Sequence, residues 1–220
     1  KANRLSITPV DFERQMRFLK KLGYNVIPLE SLASFIEEGL PVPRRSVAIT
    51  FDDGYRDNYT YAFPILKKYS FPAAVFVIID EIGRPQQDRL TWKEIEEMHG
   101  SGLITFGSHC MGPEPLINLK SEAEVKRQIF DSKKALEERL GAKVNIFSYP
   151  EGFFNQRIKR LVREAGYKLA VATSPGKKFS SRDLFALKRL RISSNAANPF
   201  IFWVESSGIY TFMKESRDAH

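Results

Sequence analysis

Apolar and polar positions along the chain switch repeatedly between a helical and an extended period. Phe12, Met16, Leu19 and Leu22 recur at helical spacing behind Thr8-Pro9-Val10-Asp11. There threonine can cap, proline suits the first helical position and aspartate favours the positive end of the helix. Gly23 ends that helix, Asn25–Leu29 reads as a short strand, and Ser31–Glu38 reads as a second helix closed by Gly39. The alternation then continues: strand Ser46–Phe51, helix Tyr59–Tyr69, the Val- and Ile-rich strand Ala73–Ile79, helix Thr91–His99 and strand Leu103–Phe106. After these come the long amphipathic helix Ser121–Leu140, strand Val144–Tyr149, helix Asn155–Ala165, strand Tyr167–Ala172, a last strand over Leu187–Ile192 and a final helix over Pro199–Ser206.

Strands alternating with helices predict an α/β fold with a parallel sheet covered by helices. About seven such units suit a closed or nearly closed barrel, read here as one domain over residues 1–220. In barrels of this kind the working residues sit at the carboxyl ends of the strands. The long irregular stretches are Asp80–Arg89, Cys110–Lys120 and Ser174–Asp183. Loops of that length in a compact domain are often functional.

Composition narrows the picture. A hydrophobic fraction of 43% supports a sizeable core, and no apolar run is long enough to span a membrane. One cysteine, Cys110, excludes an internal disulfide and a cysteine-rich zinc site. The net charge of +8 favours anionic polymers. The basic residues alternate with acids along the helices, however, and nothing resembles a nucleic-acid motif, so scattered surface charge is the better reading.

Three segments carry candidate chemistry, each at a predicted strand end. In Thr50-Phe51-Asp52-Asp53-Gly54-Tyr55 two adjacent carboxylates meet a glycine turn. Close carboxylates repel when both are ionised, so one calls for a cation or a proton and the other is left free as a base. Asp-Asp-Gly is also ordinary turn chemistry. Gly107-Ser108-His109 places an imidazole, a natural metal ligand, at a second strand end. Phe147-Ser148-Tyr149-Pro150-Glu151-Gly152 places a turn at a third, where a backbone N–H can face a developing oxyanion.

In this order and spacing the three segments resemble the first three motifs of the polysaccharide deacetylases, carbohydrate esterase family four. The resemblance covers most of the chain, from about Thr8 to Ile192. The helix Asp11–Leu22 followed by Gly23-Tyr24, and Thr91-Trp92 before Met98, resemble the subgroup acting on poly-N-acetylglucosamine. The resemblance implies a distorted (β/α) barrel of about seven strands. It implies hydrolysis of N-acetyl groups on a chitooligosaccharide, poly-N-acetylglucosamine or peptidoglycan type of glycan, and a divalent metal, commonly zinc. By position, Asp52 matches the general base, Asp53 and His109 match metal ligands, and the Glu151 backbone N–H matches the oxyanion donor; Tyr149 falls in the same catalytic segment. An extracytoplasmic location goes with such substrates.

The sequence also departs from that pattern. The family's second metal histidine falls at Pro113, which has no donor side chain; Glu114 beside it is the expected replacement. Ser148 stands where the family carries an arginine that orients the base, and Arg189 or Arg191 on the last strand is the expected substitute. The family's late histidine has no counterpart, since His220 is terminal and His99 closes a helix. Among the aromatics Tyr55, Trp92, Phe153, Phe154 and Trp203, the first choices for stacking on sugar rings are Tyr55 and Phe153, with Arg191 as a polar contact. Two other functions compete with hydrolysis of a glycan: a carbohydrate-binding pseudoenzyme and an amidase on a non-sugar amide.

Overall fold

The computed structural model describes residues 6–173, 183–192, 196, 198 and 201–203. Strands β1 (Asn25–Val26) and β2 (Ser46–Val47) form a parallel pair of their own. The main sheet is parallel throughout, with six strands in sequence order: β3 (Ile49–Phe51), β4 (Ala73–Val77), β5 (Ile104–Ser108), β6 (Ile146–Ser148), β7 (Leu169–Ala172) and β8 (Leu187–Lys188). The sheet curls into a half-barrel, with helices between successive strands from β3 to β7. The predicted strand Ser46–Phe51 is thus two strands serving two sheets, divided at Ala48.

The helices follow the capping signals. Helix α1 (Pro9–Lys21) starts with Thr8 Oγ1 accepting from the Asp11 N–H, and α2 spans Ser31–Glu37. Helix α3 (Phe63–Tyr69) continues from a π-helical turn at Asn58–Ala62. Helix α4 (Trp92–Gly100) opens with a reciprocal Thr91–Glu94 capping box. The predicted long helix is α5 (Glu122–Lys126) and α6 (Ser132–Leu140) joined through a π-helical stretch at Arg127–Asp131, and α7 spans Gln156–Glu164. Of the predicted final helix, residues 201–203 are helical and the remainder lies outside the described residues, as does His220.

All five residues of β4 are buried, as are the three of β6 and the four of β7. Strands buried on both faces read as continuous apolar runs, which is why Ala73–Val77 carries no polar alternation. Phe106, Phe147 and Tyr149 pack with Ile95, Ile129 and Leu136 in one buried cluster, and Phe76 packs with Ile146, Leu169 and Val171 in a second. This packing sets the floor of the site. A Cβ at Gly107 would lie 2.6 Å from Ile146 Cγ1 and from two ring carbons of Phe76, both fully buried side chains. Only a hydrogen fits one residue before Ser108-His109. Gly107→Ala is therefore expected to lower the unfolding free energy by about 1–3 kcal/mol, the usual cost of overpacking. Urea unfolding followed by circular dichroism checks this, and an unchanged midpoint would contradict the packing described.

Candidate active site

At the carboxyl end of β3 the chain turns through two successive left-handed residues, Asp53 (φ 65) and Gly54 (φ 63). Gly54 is held to glycine twice over, because a Cβ there would also come within 2.9 Å of Val77 Cγ1. The turn separates the acidic doublet, so Asp52 and Asp53 take different partners. Arg89 braces the turn from outside: its Nη1 donates to the Asp53 carbonyl at 2.9 Å. The Arg89 guanidinium also lies 3.8 Å from the Tyr55 ring centroid and pairs with Glu81 at 2.6 Å.

Asp52 faces Arg189, the residue after β8. Nη1 donates to Oδ1 at 2.7 Å and Nη2 to Oδ2 at 2.6 Å, a two-pronged pairing of guanidinium and carboxylate. Nη2 also donates to Ser148 Oγ at 3.1 Å, and Ser148 Oγ lies 3.4 Å from Asp52 Oδ1. Burial alone would raise the Asp52 pKa. The hydrogen bonds and charge of Arg189, helped by His109 and Ser148, outweigh burial and hold it below the usual aspartate range. Asp52 is therefore an ionised, fixed acceptor at neutral pH.

His109 follows β5 and is buried, with its backbone N–H donating to Val77 O at 2.9 Å. Its Nδ1 lies 2.7 Å from the Ser148 carbonyl oxygen, which can only accept. Nδ1 therefore carries the hydrogen, and Nε2 of the neutral ring presents a lone pair. That lone pair lies 3.6 Å from Asp53 Oδ1. Two electron-rich atoms facing each other at this distance call for a cation or a proton between them. Asp53 and His109 line a cavity of about 270 Å³ together with Ile78, Arg89, Pro113, Pro150 and Glu151. The donor set fits a divalent cation held through one carboxylate and one imidazole. Among the described residues no three His, Cys, Asp or Glu side chains converge as they would in a closed metal site.

Asp52, Asp53, His109 and Glu151 are thus brought to one end of the sheet. Two expected roles are corrected, and the choice between Arg189 and Arg191 is resolved. Glu114 does not enter the cavity, because Pro113 takes the wall position and the exposed Glu114 carboxylate accepts from Asn118 Nδ2 at 2.7 Å. The Tyr149 side chain belongs to the core: it is fully buried, stacks on Phe154 at 4.2 Å, and donates its hydroxyl to Phe185 O at 2.9 Å. Arg191 is exposed beyond β8, and the contact with Asp52 is made by Arg189. Tyr55 and Phe153, 44% and 51% exposed, offer aromatic surface beside the cavity residues Asp53 and Glu151. Sequence reasoning missed Ser148 as the link between Arg189, Asp52 and His109, and it missed the Glu81–Arg89 brace. The one signal for the brace was its place in the long stretch Asp80–Arg89.

Comparison with known proteins accords with this geometry. The polysaccharide deacetylase family profile matches residues 39–170. The chain is 31% identical over 205 residues to Bacillus subtilis YxkH, named as a polysaccharide deacetylase, covering 93% of this chain and 72% of that one. It is 28% identical over 201 residues to the poly-beta-1,6-N-acetyl-D-glucosamine N-deacetylase of Staphylococcus aureus, covering 87% of this chain and 69% of that one. Its fold superposes on Streptococcus pyogenes deacetylase PplD, solved with acetate, with a TM-score of 0.81 and 28% identity over 91% of this chain and 88% of the other. A family match across the sheet and a relative this similar over nearly the whole length settle the assignment: the chain belongs to the polysaccharide deacetylase family of carbohydrate deacetylases.

Proposed function

We propose that this chain removes N-acetyl groups from an N-acetylglucosamine polymer of the poly-β-1,6 type, with a divalent cation, zinc by preference, at Asp53 and His109. The observation that carries the reading is the ionised Asp52 carboxylate, fixed by Arg189 beside the Asp53–His109 pair. The cation would polarise the acetyl carbonyl and acidify a water molecule. Asp52 takes the proton from the attacking water; its orientation is set before substrate arrives, because both carboxylate oxygens are already anchored. The backbone N–H of Glu151 is assigned to the developing oxyanion. Tyr55 and Phe153 receive the faces of neighbouring sugar rings, apolar surfaces that aromatic rings cover well. A glycan substrate of this type lies outside the cytoplasm, and we assign the protein to that side. No helix among the described residues is long and apolar enough to cross a membrane.

A second reading, a carbohydrate-binding relative without turnover, is favoured by one feature: the cavity wall holds Pro113, and no third metal-ligating group converges there. Acetate release from β-1,6- and β-1,4-linked N-acetylglucosamine oligomers, with and without added zinc or cobalt, separates the two. Turnover with preference for the β-1,6 series is expected. Oligomer binding with no acetate under any metal would establish the second reading.

Asp52→Asn keeps the shape and removes the base. We expect acetate release to fall by about 10²- to 10⁴-fold, with oligomer binding retained; near-parental rates would remove Asp52 from the reaction. Arg189 acts through Asp52, so its test is a pH profile. Arg189→Met leaves the burial that raises the Asp52 pKa and deletes the charge that lowers it. The acid limb of kcat/KM is then expected to move to higher pH. The sign for stability agrees: what the pair contributes is present above the unfolded aspartate range and is lost as pH falls through the depressed folded value. An acid limb that stays in place would show that Arg189 does not tune the base.

A further inference from the structure

We propose that Arg89, held by Glu81, is a positioning residue that fixes the Tyr55 ring as a stacking platform for the sugar next to the acetyl-bearing one, a proposal that rests on the N-deacetylase reading above. Arg89 and Glu81 form an ion pair at 2.6 Å, with only 9% and 6% of their side chains exposed. A buried pair of this kind is costly to desolvate and adds little net stability over apolar residues of similar size. Its geometry supplies a better reason for it. One end of the guanidinium, Nη2, is taken by Glu81, and the other, Nη1, donates to the Asp53 carbonyl at 2.9 Å. Two anchored nitrogens set the plane of the head group. Its central carbon then lies over the Tyr55 ring, 3.8 Å from the centroid, a cation–π contact made by a planar cation.

The backbone repeats the arrangement. Tyr55 and Arg89 form an antiparallel bridge, the Leu90 N–H donates to Gly54 O at 2.9 Å, and the Arg56 N–H donates to Asp88 O at 2.8 Å. Leu90, fully buried, anchors this strip in the core. Tyr55 is nevertheless 44% exposed, so its ring is held from one face and open on the other. Arg89 and Asp53 line the cavity, and Tyr55 follows Asp53 by two residues without being part of that lining. It therefore meets the neighbouring ring of a polymer whose acetyl group enters the cavity. A ring fixed before the sugar arrives has less freedom to lose on binding. With its charge matched by Glu81, Arg89 supports the ring without repelling the free amines that deacetylation leaves along the polymer.

The test is a double-mutant cycle read by calorimetric titration with the N-acetylglucosamine pentamer, in whichever series, β-1,6 or β-1,4, the parent binds. Arg89→Lys keeps the charge opposite Glu81 and loses the flat, two-pronged head group. It is expected to raise the pentamer Kd about tenfold, as is Tyr55→Ala. The double variant should match Tyr55→Ala alone, because Arg89 acts through the ring. Glu81→Gln leaves Arg89 in place but loosened and should weaken binding in the same sense; it carries the test if circular dichroism shows Arg89→Lys unfolded. Additive losses in the double variant, or parental affinity in Arg89→Lys or in Tyr55→Ala, would overturn the proposal. Acetate release is measured on the same proteins. A parent that binds the pentamer and releases no acetate loses the N-deacetylase reading while the cycle still decides the platform. A parent that binds neither series loses both.

Discussion

The contact between Arg189 and Asp52 holds the two edges of the main sheet to one site. Asp52 follows β3, the first strand of the sheet, and Arg189 follows β8, the last. Among the described residues no backbone ladder joins these edges; the seam is crossed by the guanidinium, which also reaches Thr50 Oγ1 at 3.4 Å. A curled sheet left open has unpaired edges, and side chains at its mouth are one means of fixing its curvature. The pair is partly exposed, with side-chain accessibilities of 13% and 31%, so its desolvation cost stays moderate while its two-pronged geometry keeps direction. The same contact thereby sets the shape of the barrel mouth and the ionisation of Asp52. A change that loosens one must disturb the other.

Backbone strain gathers around the cavity. Of the non-glycine residues with positive φ, Asp53, Cys110 and Glu151 stand at or beside the ends of β3, β5 and β6, and two of them line the cavity. Each left-handed residue of this kind costs on the order of 1 kcal/mol, and such strain persists only where surrounding structure enforces it. Here Arg89 braces the Asp53 turn, the ladder to Val77 O holds His109 just before Cys110, and Pro150 with Gly152 brackets Glu151. Cys110 itself is fully buried, which pushes its thiol pKa well up and leaves it a packing residue beside His109.

The architecture and the acidic doublet were legible because they rest on local rules. Helix starts at Thr8 and Thr91, helix ends at glycines and the uninterrupted apolar run of β4 depend on a few neighbouring residues each. The choice between Arg189 and Arg191 was not legible: residues two apart on an extended segment face the same way, so alternation cannot separate them. What separates them is depth. Among the described residues the β8 ladder pairs Leu187 and Lys188 with β7, and the Arg189 N–H donates to Ala172 O, so Arg189 is the last of them held to the sheet and Arg191 lies past that point. Glu114 was chosen for nearness in sequence to Pro113, but the turn at Leu116–Asn118 captures it. Tyr149 lies in the motif segment yet points into the core, because β6 is buried on both faces.

Ser148 explains how an arginine can be absent from its strand without loss of order at Asp52. Its position on β6 is fully buried, between β5 and β7. A guanidinium at 148 would add a second cation against a carboxylate whose two oxygens are already taken by Arg189, and would leave buried donors without acceptors. A serine in that space does three things at once. Its hydroxyl accepts from Arg189, the same hydroxyl reaches Asp52, and its carbonyl fixes the His109 tautomer. Arg189 orients Asp52 from the sheet edge, and the central position couples Asp52 to His109 through one small residue. Replacing Ser148 would thus be felt by Asp52 and His109 together, whereas replacing Arg189 acts on Asp52 first.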